Sequence, residues 1–237
     1  MAERLQKIIA RAGLCSRRAA EELLRAGRVS VNGQAAKLGD TAEEGDAITV
    51  DGKLLDVAPE AVYLMLHKPR GYVTTLSDER GRKTAAQLVE DCGVRVFPVG
   101  RLDKESEGLL LFTNDGALMQ RLIHPSGEVN KTYHVTVCGA LDGAAERLGA
   151  LRDVEGEPIR PAQVKVLRCA EKDALLQIVI HEGKNRQIRR MCSQCGLEVL
   201  RLKRVAEHTL TLGSLKAGAW RYLTQEEIQA LKGSEQA

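Results

Sequence analysis

Residues 100–116, GRLDKESEGLLLFTNDG, place one acidic side chain in a glycine-bounded turn directly before an apolar strand. Asp103 lies between Arg101 and Lys104, and residues 109–112 are predicted to form the strand. Two neighbouring cations favour the ionised carboxylate, and a buried strand beside the turn would hold it in place. Such a carboxylate suits a nucleophile, but the same pattern is typical of a surface turn with a local ion pair. The turn alone leaves both interpretations open.

The charge distribution along the chain is more informative than its sum. The net charge of the 237 residues is +3, with 28% charged and 43% hydrophobic residues, as in ordinary globular proteins. Residues 4–28 contain seven basic and two acidic side chains, and residues 182–204 contain the same numbers, so each segment has a net charge of +5. Two separated basic clusters predict two contact surfaces for a polyanion, although two solvated helix faces would give the same pattern.

Several classes of protein are disfavoured. No stretch approaches the roughly 20 apolar residues of a membrane span, and Arg4 and Lys7 interrupt the short amphipathic run where a signal peptide would lie. The six cysteines are scattered, which predicts reduced thiols and a cytoplasmic protein. Cys192 and Cys195 form a C-x-x-C motif without a second ligand pair, so we expect no metal and two inward-facing helix residues. The absence of a glycine-rich nucleotide loop argues against a kinase or a methyltransferase.

The N-terminal residues predict a small helix–helix–hairpin unit. Helical periodicity extends over residues 3–12, and Ser16 is placed to cap a second helix. A strand then leads into an Asn32-Gly33 turn of the kind found in hairpins. A proline-containing linker follows, and we place the domain boundary between residues 1–58 and residues 59–237.

The segment RLQKIIARAGLCSRRAAEELLRAGRVSVNG, residues 4–33, resembles the S4 RNA-binding domain. The resemblance implies that the two helices present basic side chains to an RNA backbone. Phosphate contacts of this kind position a protein on RNA without reading its sequence. The RNA-binding residues that it implies are Arg4, Lys7, Arg17, Arg18, Arg28 and Asn32.

Residues 59–237 predict a sheet with flanking helices. Strands are predicted at residues 63–66, 94–99, 109–112, 131–137, 175–180, 199–202 and 209–212, and helices at residues 117–123, 141–151, 186–195 and 225–232. Asn185 is placed to cap the third helix, and Thr224 with Glu227 forms a capping box for the last. Lys68 belongs to a rigid basic turn. Tyr133 opens a strand, where it could stack on a base or simply fill the core.

Three blocks, GRLDKESEGLLLFTNDG, KTYHVTV and EGKNRQIRRM, occur in this order along the chain. Together they resemble the RsuA/RluB-type pseudouridine synthases over essentially the whole chain, nearest to the RluB-like members. The resemblance implies an α+β protein in which a mixed, mainly antiparallel sheet with flanking helices carries a cleft. It also implies isomerisation of one uridine in ribosomal RNA to pseudouridine, with no cofactor and no metal.

The resemblance also assigns roles to residues. Asp103 is implied as the nucleophile, which attacks C6 of the uracil or acts through a glycal formed at the sugar. Arg101 would enter the RNA helix where the target base leaves, since a paired base must be extruded before its glycosidic bond can be reached. Tyr133 would stack on the flipped base, and Arg189 would pair with Asp103. Further implied residues are Ile180 in the pocket wall and Lys68, Lys184, Arg186 and Arg190 at the RNA.

The expected function is therefore that of a monomeric enzyme acting on ribosomal RNA. The resemblance favours 23S RNA and leaves a small-subunit, 16S-specific synthase open. A second alternative is a non-catalytic RNA-binding or ribosome-assembly factor, which the two basic clusters alone would also fit. Lys184 stands where the family often has arginine; lysine keeps the charge but lacks the bidentate fork.

Overall fold

The computed structural model describes residues 2–56, 60–123 and 129–233. The predicted domain boundary, between residues 58 and 59, lies outside the described residues. Contacts between Cα atoms divide the chain into two compact units, one of Met1–Val62 with Asn114–Gly116 and one of Tyr63–Thr113 with Ala117–Ala237.

The smaller unit is built from two short helices and two small sheets. Its elements are β1 (Glu3–Arg4), α1 (Leu5–Arg11), α2 (Arg17–Arg25), β2 (Val29–Val31), β3 (Gln34–Ala35), β4 (Thr41–Ala42), β5 (Ile48–Val50) and β6 (Lys53–Leu54). The strands pair in the orders β3-β2-β5-β6 and β1-β4. The hydroxyl of Ser16 caps α2 by accepting a hydrogen bond from the Ala19 amide, as predicted. The apolar core of the smaller unit includes Leu5, Ile9, Leu24 and Ile48.

Two details of this unit follow from local backbone geometry. Asn32 and Gly33 have φ angles of 51° and 82°, which is the geometry of the predicted two-residue hairpin turn. The first helix was predicted from residue 3, but it begins at Leu5 because Glu3–Arg4 pairs with β4 as a short strand. Pairing with a distant segment thus overrides the helical pattern at this end.

The larger unit contains one large sheet with helices around it. Its elements are β7 (Tyr63–Lys68), a 3-10 helix (Ala86–Cys92), β8 (Phe97–Val99), β9 (Glu107–Thr113), α3 (Gly116–Ile123), β10 (Lys131–Gly139), α4 (Ala144–Ala150), β11 (Asp153–Val154), β12 (Glu157–Pro158), β13 (Gln163–Cys169), β14 (Ala174–Ile180), α5 (Gln187–Gln194), β15 (Leu197–Glu207), β16 (Leu210–Thr211), β17 (Trp220–Tyr222) and α6 (Gln225–Lys232).

The large sheet has nine strands, in the order β13-β14-β10-β15-β9-β7-β17, with β16 beside β15 and β8 beside β9. Among the described strands only β15 and β9 pair in parallel, so the predicted mixed, mainly antiparallel α+β fold is confirmed. Gly108 makes the parallel pairing possible. Its φ is 111°, and a Cβ there would lie 2.2 Å from the carbonyl oxygen of Arg204.

Three local predictions differ from the structure. The strand predicted at residues 199–202 is the eleven-residue β15, because it lies in the middle of the sheet and is paired on both sides. The strand β17 was not predicted. Asn185 does not cap α5; the N-cap is Arg186, whose φ is 49° and whose side chain makes no capping hydrogen bond. The predicted capping box of Thr224 and Glu227 is confirmed.

Candidate active site

The loop that carries Asp103 joins β8 to β9 and is held by main-chain contacts. The hydroxyl of Thr74 donates to the Leu102 carbonyl oxygen at 2.7 Å and accepts from the Leu102 amide at 3.2 Å. The Ser106 amide donates to the Asp103 carbonyl oxygen at 3.0 Å. These bonds fix the backbone on both sides of the carboxylate, as a positioned nucleophile requires.

Lys68 braces the same loop from inside the protein. Its side chain is fully buried, and Nζ donates to the carbonyl oxygens of Ser106 at 2.8 Å, Asp103 at 3.0 Å and Pro69 at 3.2 Å. Burial lowers the pKa of Lys68 to about 8, although the carboxylate of Asp103 opposes this shift. The prediction that Lys68 contacts RNA is therefore wrong, because its ammonium group is inaccessible to solvent and donates its hydrogen bonds to backbone carbonyl oxygens.

Arg186, rather than the predicted Arg189, is the ion-pair partner of Asp103. Arg186 Nη1 lies 3.8 Å from Asp103 Oδ2. Arg189 donates instead to the carbonyl oxygens of Glu105 at 3.1 Å and Val199 at 3.4 Å. The left-handed N-cap at Arg186 turns its side chain toward the loop, whereas Arg189 lies nearly one helical turn further along α5. Burial, and then the charge of Arg186, lower the pKa of Arg189, while Asp103 raises it.

A cavity of about 660 Å³ opens beside this loop. Its lining includes two of the three predicted catalytic residues, Asp103 and Tyr133, but not Arg189. The predicted pocket residue Ile180 and three residues predicted at the RNA also line it: Arg101, Lys184 and Arg186. Ile180 ends β14 and is buried, while Arg101 is exposed. The lining combines apolar side chains with several convergent charges, as expected of a site for a polar ligand.

Two buried charged residues of this cavity were not predicted. Arg204 is 1% exposed and Glu207 is 5% exposed, and Arg204 Nη2 lies 3.3 Å from Glu207 Oε2. Arg204 Nε donates to the Leu109 carbonyl oxygen at 2.7 Å. In the sequence, Arg204 follows Lys203 within a basic cluster, so nothing distinguished it from solvated neighbours.

Two other residues predicted at the RNA are tied to the protein itself. Arg190 pairs with Glu155 and Glu157, each at 2.9 Å, and donates to the Val154 carbonyl oxygen at 3.0 Å. Lys184 Nζ lies 3.2 Å from Glu157 Oε1. Hydrogen bonds from Arg190 and then Lys184 lower the pKa of Glu157. Arg190 thus fastens the β11–β12 hairpin to α5, and its contact with RNA stays a prediction.

A second, more open groove of about 540 Å³ adjoins the cavity. The two share Arg101, Leu102, Asp103 and Arg186. Residues 78–82 form one side of the groove, where Asp78 accepts hydrogen bonds from the Arg80 and Arg82 amides and pairs with the Arg82 guanidinium at 2.6 Å. Hydrogen bonds from the Arg82 side chain lower the pKa of Asp78 to about 2. These contacts tie residues 78–82 together within the loop.

The smaller unit contains the six residues predicted from the S4 resemblance, and they fall into two groups. Arg28 forms a bidentate pair with Asp51, and Arg4 donates to the Gly39 carbonyl oxygen at 2.6 Å. The side-chain amide of Asn32 donates to the Asp46 carboxylate and accepts a hydrogen bond from the Ala47 backbone amide. The second group is exposed and makes no side-chain hydrogen bond or ion pair with any described residue: Lys7, Arg17 and Arg18. Among the six predicted residues, the cations without a described protein partner thus lie on α1 and α2.

The described residues lack two kinds of feature. They contain no helix that is long and apolar enough to cross a membrane. They also contain no group of three or more histidine, cysteine, aspartate or glutamate side chains placed to hold a metal ion.

Comparison with known proteins identifies the class. Residues 62–194 match the family described as RNA pseudouridylate synthase, and residues 3–55 match the S4 domain. The chain is 42% identical to the ribosomal large subunit pseudouridine synthase B of Bacillus subtilis (strain 168), over 97% of this chain and 96% of that protein. It is 36% identical to the dual-specificity RNA pseudouridine synthase RluF of Salmonella typhi, over 95% of this chain and 77% of that protein.

A solved structure agrees with the sequence comparisons. A crystal structure of a pseudouridylate synthase superposes with a TM-score of 0.68 at 31% identity and covers 96% of this chain and 99% of that one. The fold, the Asp103 cavity and these matches together define an RNA-modifying isomerase. The chain belongs to the RsuA/RluB family of RNA pseudouridine synthases, with an S4 RNA-binding domain at its N-terminus.

Proposed function

We propose that the chain converts a uridine of ribosomal RNA to pseudouridine, that the RNA is 23S rather than 16S, and that Asp103 is the nucleophile. One observation carries the chemical part: the ionisable carboxylate of Asp103 lies in a backbone-braced loop and shares one cavity with Tyr133 and Arg186. The name of the Bacillus subtilis relative, which specifies the large ribosomal subunit, supports the choice of RNA.

The reaction requires a carboxylate that reaches the nucleoside from one side. The bond between N1 of uracil and C1′ of ribose breaks and a bond between C5 and C1′ forms. The proton on C5 leaves, and N1 takes up a proton. Asp103 would attack C6 of the uracil, or would act at the sugar through a glycal. Either route needs the base out of its stack, and Arg101, exposed at the mouth of the cavity, would occupy the place the base leaves.

The other site residues would support Asp103 and the base. Arg186 supplies positive charge 3.8 Å from the carboxylate, and Arg189 braces the loop through the Glu105 carbonyl oxygen. We therefore assign to Arg186 the pairing role that the resemblance implied for Arg189. Tyr133, which is 7% exposed, and Ile180 would bound the base on its faces. No metal or cofactor takes part in this proposal.

The RNA backbone would follow the groove that adjoins the cavity. Arg80, Arg101 and Lys104 line this groove and form no ion pair with any described residue. Lys7, Arg17 and Arg18 of the S4 domain would add phosphate contacts that position the RNA without reading it. The protein would act as a monomer, and a ribosomal RNA substrate implies the cytoplasm.

Replacing the carboxylate tests the proposal most directly. We expect Asp103→Asn to abolish tritium release from ribosomal RNA labelled at C5 of uridine, while RNA binding persists, because an amide cannot act as the nucleophile. Glu105→Gln is the matched control. Its carboxylate lies in the same loop, but it is exposed, pairs with Arg70 at 3.6 Å and does not line the cavity. Full activity of Asp103→Asn would refute the assignment.

The choice of RNA needs its own measurement. Purified 23S and 16S RNA would be incubated with the wild-type protein and with Asp103→Asn, and new pseudouridines mapped in both. We expect one new position in 23S RNA with the wild type only. A position in 16S RNA alone would overturn the choice of RNA and leave the chemistry intact.

A further inference from the structure

A β-bulge brings two buried charges onto the face of the sheet that carries Tyr133. Tyr133 lies opposite Arg204 and Lys131 lies opposite Glu207, but Thr132 lies opposite Ala206, so Val205 is an extra residue in β15. Residues three apart on a regular strand point to opposite faces. The extra residue places Arg204 and Glu207 on the same face, and bulges next to active sites commonly re-aim side chains in this way.

The pair is more deeply buried than an ordinary ion pair and is only partly satisfied. Arg204 Nη2 and Glu207 Oε2 are 3.3 Å apart, yet neither atom makes a hydrogen bond with a described residue. Both residues line the cavity together with Tyr133, and Arg204 is the residue directly opposite Tyr133 where β10 pairs with β15. Burying two charges costs more than such a contact usually returns in stability, so the arrangement points to a role at the site.

We propose that Arg204 and Glu207 form a positioning pair that holds the hydroxyl and ring of Tyr133 in place against the target base. The pair acts through Tyr133 and touches neither the base nor the sugar. This inference rests on the proposed function, because it gives Tyr133 the role of bounding the flipped uracil. It adds no covalent step to the reaction.

The charges around Tyr133 predict a second consequence. Burial raises the pKa of Tyr133, the guanidinium of Arg204 lowers it, and the carboxylates of Glu207 and Asp103 raise it. Lys131, on the same strand as Tyr133, is half-buried and lies opposite Glu207. Removing the charge of Glu207 should therefore lower the pKa of Tyr133 and move any limb of the pH–rate profile that depends on this phenol to lower pH.

The primary experiment is a double-mutant cycle measured in single turnovers. We expect Glu207→Gln to slow the reaction about tenfold at saturating RNA with little change in KM. In a Tyr133→Phe background the same change should have almost no effect, because the hydroxyl it positions is gone. Arg204→Lys, which keeps the charge but not the fork, should retain more activity than Arg204→Gln.

A matched control tests for a merely structural role. Glu227→Gln breaks the 2.7 Å pair of Glu227 with Arg221, which is outside the cavity, and should leave the turnover rate unchanged. Thermal unfolding of each variant shows whether it is folded. Multiplicative effects of Glu207→Gln and Tyr133→Phe, or a change in KM alone, would overturn the positioning role.

A readout without turnover separates this inference from the proposed function. Tyrosine absorbance would be titrated in the wild type and in Glu207→Gln, with the matching Tyr133→Phe protein subtracted from each. A downward shift of the Tyr133 titration supports the pair, and an unmoved titration refutes it even if the enzyme is active. A wild type that leaves C5-labelled ribosomal RNA unchanged would instead refute the proposed function and, with it, the role of the pair in catalysis.

Discussion

The two basic clusters of the chain have equal net charge but differ in how many of their cations are paired with protein groups. In residues 4–28, the S4 cluster, Lys7, Arg17 and Arg18 remain exposed and unpaired among the described residues. In residues 182–204, the catalytic cluster, Arg186 is exposed but lies 3.8 Å from the Asp103 carboxylate, and Arg204 is buried at the cavity. Arg189 and Arg190 of the same cluster are bound to protein carbonyls and carboxylates. Equal charge therefore does not mean equal availability to RNA.

The physical difference lies in what each cation gains from its neighbours. An exposed cation keeps its hydration and can exchange water for phosphate at small cost, which suits contact with a polyanion. A buried cation such as Arg204 has lost its water and needs protein partners, and an exposed one such as Arg186 is already held beside a carboxylate. Both arrangements suit a fixed geometry. The first cluster should thus control affinity, and the second should control rate and structure.

The largest expected effect is that of Arg186→Ala, in the catalytic cluster. Loss of the cation beside Asp103 should reduce the turnover rate about 100-fold while RNA affinity changes little, because the charge is used at the reacting centre. Single-turnover rates and filter-binding measurements on the same RNA would separate the two. Arg189→Ala is the comparison, and a larger loss there than in Arg186→Ala would reverse the assignment of the Asp103 partner.

An intermediate effect is expected from the S4 cluster. The triple change Lys7→Ala, Arg17→Ala and Arg18→Ala should weaken RNA binding about tenfold at moderate salt and reduce the salt dependence of binding by about one counterion per residue. The turnover rate at saturating RNA should not change. Arg28→Ala is the matched control, because its guanidinium is already bound to Asp51 and should contribute less. A fall in the saturated rate of the triple variant would remove the contrast between the clusters.

The smallest expected effect concerns Lys68 and the pH dependence of stability. Burial lowers the pKa of Lys68 from 10.5 to about 8, so between these values the unfolded chain binds more protons than the folded one. The contribution of Lys68 to stability should therefore increase as the pH rises from about 8 to 10.5, since deprotonation relieves the cost of a buried charge. Denaturant unfolding at both pH values would show this rise, and Lys68→Met should remove it. An unchanged slope in that variant would place the titration elsewhere.

The local predictions succeeded where short-range chemistry decides the backbone. Ser16, the Asn32-Gly33 turn and the Thr224–Glu227 box form as their residue types require. Prediction failed where partners distant in sequence decide. Residues 3 and 4 pair with β4 as a strand instead of starting the helix. Lys68 is buried because its ammonium group binds the carbonyl oxygen of Asp103, 35 residues away.

The sequence by itself determined the architecture and the family, because three motif blocks and an S4-like segment occur in one order along a chain with clear periodicity. It also singled out Asp103 and Tyr133, which the structure places in one cavity. Only the tertiary structure decided which cation pairs with Asp103. A bulge at Val205 and a left-handed turn at Arg186 redirect side chains whose neighbours in sequence look the same. Side-chain direction depends on strand register and on a single φ angle, and neither is encoded in charge or spacing.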